Sequence, residues 1–194
     1  MSITRTEILG CNCESSDNAT KVLREIKGKS LKEALEIIKK NATTMDSEHI
    51  IMCQAIAYHG NGDITKTIEL LKSIYKTLSN EQKLFLAEMY ILQNLKEEAK
   101  KIFEEVYSED RWERGLFELG LNVYKKDEKR YRDILEEGII YQPENTFLIE
   151  RYANFLVDQG NHKEAASWFR KIDKPYFELI ARTVSYTHLR AHET

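Results

Sequence analysis

Two cysteines near the start of the chain, Cys11 and Cys13, are the residues whose type and spacing first suggest metal chemistry. Structural zinc sites commonly use four ligands, two of them from cysteines separated by about two to four residues. Here the spacer is the single residue Asn12, and no second cysteine pair follows. The third cysteine, Cys53, lies in an apolar stretch typical of a buried helix. The pattern therefore predicts no metal site and no cofactor.

The histidines offer two further spacings that a metal site could use. His49 and His59 are ten residues apart, so on one helix they lie about 15 Å apart and cannot share an ion. His188 and His192 have the four-residue spacing of two ligands on one helix face, but no glutamate lies between them. We therefore assign a metal to neither pair.

Carboxylates occur as adjacent pairs, which is an unsuitable arrangement for acid–base catalysis. The pairs are Glu97-Glu98, Glu104-Glu105 and Glu136-Glu137. Adjacent residues on a helix do not face each other, so the two carboxylates of a pair cannot act on one substrate atom. The sequence also shows no glycine-rich phosphate loop, nucleophile elbow or triad-like set. We therefore expect a protein that is not an enzyme.

Composition and charge exclude further classes of function. The chain has 194 residues, of which 42% are hydrophobic, enough for a packed core. A net charge of −3 gives no electrostatic reason to expect nucleic acid or an anionic membrane as a partner. No stretch approaches the roughly 20 apolar residues of a membrane helix, and no signal peptide is seen. We expect a cytoplasmic protein with reduced thiols.

A recurring pair of residues, a small one followed four places later by an apolar one, indicates the elements that would position any site. The pairs are Ala34/Ile38, Thr67/Leu71, Ala99/Phe103 and Ala165/Phe169, with a weaker pair, Tyr131/Leu135, before the last. Their first members are 33, 32, 32 and 34 residues apart. A fixed period in the low thirties is typical of stacked repeat units rather than of one globular core.

Each unit has the pattern of two helices joined by a short turn, which is an αα-hairpin. In the clearest unit, Leu84, Ala87 and Ile91 share one helix face, and the turn Gln93-Asn94 separates them from a second apolar stripe. We expect about five such hairpins. The unit from Leu119 to Ile139 is the least regular.

Turn and cap residues lie where these hairpins need them. Gly160 can take the left-handed conformation that ends a helix. Asp46 or Ser47 can cap the helix that begins there, because either side chain can accept a hydrogen bond from a free backbone N–H. These residues support the hairpin interpretation.

Two of the units resemble the tetratricopeptide repeat. The matching residues are Leu86, Ala87, Tyr90, Ala99, Phe103 and Val106 in one unit, and Tyr152, Ala153, Leu156, Gly160, Ala165, Phe169 and Ile172 in the other. Pro143 lies between units, where that family often has proline. The resemblance covers roughly residues 18 to 173. Thr67 and Tyr131 replace the usual alanine, so related helical solenoids stay open as alternatives.

The resemblance implies an all-α fold, an α-solenoid of stacked antiparallel helix hairpins wound as a right-handed superhelix. We expect this domain to span residues 16–183, after an irregular segment at residues 1–15. In the family, the first helix of each hairpin lines a concave groove that holds most ligands. Carried over to this chain, the groove positions are Met52, Ile56, Leu84, Glu88, Ile91, Arg114, Phe117, Leu121, Tyr124, Phe147, Glu150 and Asn154.

Such a groove is largely apolar, which is typical of a contact surface. The resemblance therefore implies a non-catalytic scaffold that binds a protein or peptide, through an amphipathic or apolar segment. One alternative is the N-terminal helical-repeat arm of a larger enzyme whose catalytic domain is missing. Another is a module that buries this face in a homodimer. Only Arg114 and Asn154 suit a clamp for a terminal carboxylate, so we expect no clamp.

The last residues, 184–194, break the helical pattern and fit no repeat. They resemble a translated sequencing adapter, because the residues from Val184 to Thr194 can all be back-translated to one reading frame of a transposase-type end. We therefore expect a non-native tail there and a native chain truncated near Thr183. On this interpretation His188 and His192 have no function.

Overall fold

The computed structural model describes residues 14–172, which form ten α-helices. In chain order they are α1 (Glu14–Ile26), α2 (Leu31–Asn41), α3 (Ser47–Gly60), α4 (Ile64–Ser73), α5 (Asn80–Leu92), α6 (Lys96–Glu109), α7 (Leu116–Val123), α8 (Glu128–Tyr141), α9 (Thr146–Asp158) and α10 (His162–Phe169). Short 3₁₀ turns follow α2 and α4, at Ala42–Thr44 and Tyr75–Thr77. This part of the chain has no strand, so the predicted all-α fold is confirmed.

Some predictions fall outside the described residues. Cys11, Cys13, His188, His192 and the proposed non-native tail at 184–194 all lie there. The predicted irregular segment at 1–15 reaches into the described part, where Glu14 and Ser15 belong to α1. The boundary of that segment is therefore wrong at its C-terminal end.

The chain divides into two compact units, Met1–Glu113 (unit 1) and Arg114–Thr194 (unit 2). In unit 1, each of the helices α1 to α4 packs against the next, α1 also packs against α3, α4 packs against α5, and α5 packs against α6. In unit 2, α7 packs against α8 and α9, α8 packs against α9, and α9 packs against α10. One continuous repeat domain over residues 16–183 stays a prediction.

The second helices of the hairpins follow the period seen in the sequence. Helices α2, α4, α6, α8 and α10 begin 33, 32, 32 and 34 residues apart, the same spacings as the small and apolar pairs. In the four stronger pairs every member is at most 1% exposed. A small residue followed by a larger one thus marks the buried face of each second helix, as predicted.

Thr67 holds the small position of its hairpin, and the core satisfies its hydroxyl. Thr67 Oγ1 donates to the carbonyl oxygen of Asp63 at 2.8 Å and lies 3.3 Å from the carbonyl oxygen of Ala55. A buried hydroxyl without a partner would cost about 1–3 kcal/mol. These carbonyls explain how threonine can replace the alanine that the repeat usually has.

The hairpin of α7 and α8 places its small residue at a different position. Leu135 is fully buried, but Tyr131 is only half-buried. The close approach falls seven residues later, at Gly138, where an added methyl carbon would lie 3.0 Å from Leu148 Cδ1 and 3.1 Å from Phe117 Cγ. The other hairpins have large residues at the matching position, namely Ile74, Val106 and Ile172. The contact that needs a small residue has moved along the helix.

Three hairpin turns share one backbone motif. Each contains one left-handed residue, and these are Gly62, Asn94 and Gly160, with φ of 85°, 59° and 77°. In each turn the next N–H donates to a carbonyl five residues earlier, namely Asp63 to Tyr58, Leu95 to Tyr90 and Asn161 to Leu156. This is the Schellman motif, which satisfies the last carbonyls of the first helix. Gly160 acts as predicted.

Side chains also fix where several helices begin. Asp46 caps α3 by accepting the backbone N–H of His49 at 3.0 Å, so the cap is Asp46 rather than Ser47. Ser30 and Ser79 form capping boxes at α2 and α5. Each box satisfies two backbone donors that a helix start leaves free.

Candidate functional site

The predicted groove positions divide into two groups. Six of the twelve are at most 8% exposed and lie in the core, namely Met52, Ile56, Leu84, Phe117, Leu121 and Tyr124. The other six are exposed or half-buried, namely Glu88, Ile91, Arg114, Phe147, Glu150 and Asn154. The expectation that the first six form an open surface is therefore wrong.

Neighbouring helices explain this burial. Helix α3 packs against α1, α2 and α4, so Met52 and Ile56 belong to the core of unit 1. In unit 2, the ring of Phe117 stacks on Tyr141 with centroids 6.1 Å apart and fits against Gly138. A helical period shows which residues share a face, but not whether another helix covers that face.

The Schellman turns provide a common register for the groove positions. Counted back from each left-handed residue, they fall thirteen, ten, six and three residues earlier. On α3 these are His49, Met52, Ile56 and His59, on α5 Glu81, Leu84, Glu88 and Ile91, and on α9 Phe147, Glu150, Asn154 and Val157. Among these three helices, only α9 has no buried residue at any of the four positions. We call its four residues the α9 strip.

The α9 strip is a mixed apolar and polar surface in unit 2. Its residues are three or four positions apart, which places them on one side of the helix. Phe147, Glu150 and Val157 are half-buried, and Asn154 is exposed. Val157 packs against the buried cluster formed with α10. The guanidinium carbon of Arg151 lies 5.1 Å from the centroid of the Phe147 ring, a cation–π distance.

Glu150 differs from most carboxylates of the chain. Within residues 14–172 it has neither a hydrogen bond nor an ion pair, although its side chain is half-buried. Arg151 follows it directly, but adjacent residues point to different sides of a helix. The strip therefore contains one carboxylate with unused capacity to accept hydrogen bonds.

Asn145 fixes the start of α9 and ties it to α7. Its Oδ1 accepts the backbone N–H groups of Phe147 and Leu148 at 3.1 and 3.4 Å. Its Nδ2 donates to Glu118 Oε1 at 2.8 Å and to Gln142 Oε1 at 2.9 Å. One amide thus caps the helix that bears the strip and anchors it to a neighbour. The sequence analysis missed this link, although an asparagine after Pro143 is a recognisable cap signal.

The structure also brings together a serine, an aspartate and a histidine, the residue types of a hydrolase triad. His49 Nδ1 lies 2.6 Å from Asp46 Oδ1 and 3.0 Å from Ser15 Oγ. In a triad, the two ring nitrogens divide these roles between acid and nucleophile. Here both contacts use the same nitrogen, so His49 cannot relay a proton from Ser15 to its other side. The cluster instead holds α1 against the start of α3.

The charge of Asp46 suits this structural role. Partial burial of Asp46 opposes ionisation, but the hydrogen bonds from the His49 backbone N–H and the Ser15 hydroxyl outweigh it. They hold the pKa of the Asp46 carboxyl below its ordinary value. An ionised Asp46 is the form that can accept all of these bonds.

A second polar cluster joins α5 to α6 in unit 1. Lys83 Nζ lies 2.7 Å from Glu105 Oε1, and the Tyr75 hydroxyl donates to Glu105 Oε2 at 2.6 Å. The bonds from Lys83 and Tyr75 lower the pKa of Glu105, and the bond to Glu105 raises the pKa of Lys83. Every group here has a partner, which indicates stabilisation of the hairpin rather than catalysis.

Cys53 has the environment of a core residue. It is 0% exposed, and burial raises the pKa of its thiol to about 12. The thiolate, which is the reactive and metal-binding form, is therefore strongly disfavoured. No three His, Cys, Asp or Glu side chains within residues 14–172 are grouped so that they could hold a metal ion. No helix in the same range is long and apolar enough to cross a membrane.

Comparison with known proteins identifies the class of fold. No family model matches the chain, and no curated protein matches it. A crystal structure of MamA is 18% identical with a TM-score of 0.61, and the match covers 89% of this chain and 96% of that one. A putative kinesin light chain of Podosopora anserina with TPR-like repeats is 17% identical with a TM-score of 0.55, over 93% of this chain and 100% of that one.

These identities show the fold alone. The chain has an all-α helical-repeat fold of the solenoid class, built from antiparallel hairpins and similar to TPR-like repeat structures. The fold class predicted from the sequence is confirmed.

Proposed function

We propose that this chain is a non-catalytic scaffold that binds a protein or peptide segment through the α9 strip. The observation that carries the proposal is the accessibility of Phe147, Glu150, Asn154 and Val157 together, on a helix of a repeat fold. Helical repeats commonly use such surfaces for binding. The net charge of −3 supports a protein rather than nucleic acid as the partner.

The composition of the strip also supports a protein segment as the ligand. Phe147 and Val157 offer apolar contact area at the two ends, and Asn154 offers both a donor and an acceptor between them. The three polar clusters and pairs that could suggest catalysis are each fully used within the fold, as described above. The expectation of a cytoplasmic, non-enzymatic protein belongs to this proposal.

Peptide display with the full chain tests the proposal. Peptides enriched on the wild-type protein would be measured by fluorescence anisotropy against Asn154→Arg, which places a bulky cation in the strip. We expect at least about tenfold weaker binding, a loss of about 1.4 kcal/mol. The matched control is Glu164→Arg, an exposed position on α10, which should bind like wild type.

The outcome against the proposal is equally concrete. Peptides that bind Asn154→Arg and Glu164→Arg as well as wild type would place their site away from the α9 strip. Circular dichroism of both variants would confirm that they keep their helices, so that a loss of binding is not a loss of fold.

A further inference from the structure

We propose that the segment bound by the α9 strip carries a lysine or arginine that pairs with Glu150. This inference rests on the proposed function, since it names the chemistry of the partner at the same surface. Glu150 is the only charged residue of the strip. An acidic segment would therefore meet repulsion there, and a basic one would meet a complementary charge.

The surroundings of Glu150 favour an external cation. Its side chain is half-buried, so part of its hydration is already lost, and no residue among 14–172 pairs with it. The adjacent Arg151 lies over the ring of Phe147 instead. A guanidinium or ammonium from a partner would replace the missing hydration by charge-assisted hydrogen bonds, which are stronger than neutral ones.

The neighbours of Glu150 set the pattern of the segment. Along the helix axis, Phe147 lies about 4.5 Å to one side of Glu150 and Val157 lies about 10.5 Å to the other, at about 1.5 Å per residue. Asn154 lies between Glu150 and Val157. A complementary segment thus has a basic residue flanked by two apolar ones, with a polar backbone or side-chain contact near the second.

Charge reversal in the full chain tests this inference. Peptides enriched by display on wild type should contain lysine or arginine beside apolar residues. Their affinity should fall at least threefold for Glu150→Gln and at least tenfold for Glu150→Lys. A peptide whose basic residue is changed to glutamate should bind Glu150→Lys better than it binds wild type. The control Glu164→Lys changes the same type of charge on α10 and should leave every affinity unchanged.

Three outcomes would overturn the inference, and they separate it from the proposed function. Peptides that lose affinity for Asn154→Arg but bind Glu150→Lys normally would refute the basic partner and leave the binding function intact. Peptides indifferent to both variants would refute both proposals. A wild-type dimer in sedimentation velocity that dissociates in Glu150→Lys would assign the strip to a second copy of the chain.

Discussion

At the scale of single residues, Gly138 shows how one position decides the approach of helices in unit 2. Most second helices have their small residue at the first position of the pair, as in Ala99 and Ala165. In α8 that position is Tyr131, and the core instead closes over Gly138. Helix packing requires a small residue at the point of closest approach, and that point differs between hairpins.

The variant Gly138→Ala should destabilise the protein. The added methyl group would lie 3.0 Å from Leu148 Cδ1 and 3.1 Å from Phe117 Cγ, and overpacking of this kind costs about 1–3 kcal/mol. Alanine returns up to about 1 kcal/mol through its better helix propensity. We expect a net loss of about 1 kcal/mol in urea denaturation.

A double-mutant cycle checks the cause of that loss. Leu148→Val removes the Cδ1 atom that the new methyl group would meet, so the double variant should lose less stability than the two single losses combined. A coupling of about 0.5 kcal/mol or more is expected. Ile149→Val serves as control because Gly138 has no such close contact with Ile149. Equal coupling with both variants would contradict the assigned contact.

The Glu105 cluster should give a pH-dependent contribution to stability. Its pKa is lowered from an ordinary 4.5, mainly by the bonds from Lys83 and Tyr75. The stabilisation is therefore present above the unfolded pKa and is lost as the pH falls through the folded one. Because the Glu105 side chain is 37% exposed, solvent screening limits the effect to about 1 kcal/mol or less.

Urea denaturation of Glu105→Gln at about pH 7 and about pH 3 measures this contribution. The variant should be less stable than wild type at the higher pH, and the difference should shrink at the lower pH. Glu144→Gln is the control, since Glu144 is exposed and has no resolved pKa shift or described partner. A difference for Glu105→Gln that does not change with pH would contradict the assignment.

At the scale of elements, the turns depend on one left-handed residue each. Nothing lies within 4 Å of a methyl group added at Gly62 or Gly160, so substitution there costs only backbone strain. Gly62→Ala and Gly160→Ala should each destabilise by about 1–2 kcal/mol, while Asn94→Gly should be neutral or slightly stabilising. Thermal melting of the three variants measures this. An unchanged melting temperature for both alanine variants would contradict the shared turn geometry.

The N-terminus of α6 lacks the cap that α4 has. Leu95 and Asp63 have similar backbone angles, with φ of −90° and −84°, but only Asp63 accepts a backbone N–H, that of Lys66. Leu95→Asp should therefore stabilise the hairpin by about 1 kcal/mol. Denaturant midpoints would show it. The variant Leu95→Ala separates the new cap from the loss of an exposed leucine, and equal midpoints for the two would contradict the capping argument.

The sequence was informative about elements because local chemistry decides them. The small and apolar pairs, the cap at Asp46 and the turn at Gly160 all depend on residues close in the chain. The α7–α8 hairpin was harder, since its small residue is placed by Phe117 and Leu148, which come from other helices. The shortness of α7, eight residues against thirteen or fourteen in the other first helices, has the same origin outside the local pattern.

At the scale of the whole molecule, half of the candidate site depended on information that a single helix does not contain. Glu88, Asn154 and their like could be assigned to a face from spacing alone. Whether Met52 or Leu121 is open depends on which helices pack beside α3 and α7, and those contacts are distant in sequence. The binding role of the accessible positions stays a prediction.

Thiol chemistry offers a test of the packing of unit 1. In a Cys11→Ser/Cys13→Ser background, Cys53 should react at least about a hundredfold more slowly with an aromatic disulfide reagent in native buffer than in urea, because it is buried and its pKa is raised to about 12. Absorbance of the released thiolate gives both rates. Rapid reaction in native buffer would show that α1 does not cover α3 as described.

The starts of the first helices have a final consequence. They follow one another at 33, 33, 36 and 30 residues, so the delay before α7 is cancelled before α9. A change of chain length between α6 and α7 has thus been absorbed locally, and the phase of every later hairpin is kept. Insertions or deletions around residues 110–115 are where this chain could diversify during evolution without rebuilding its other repeats.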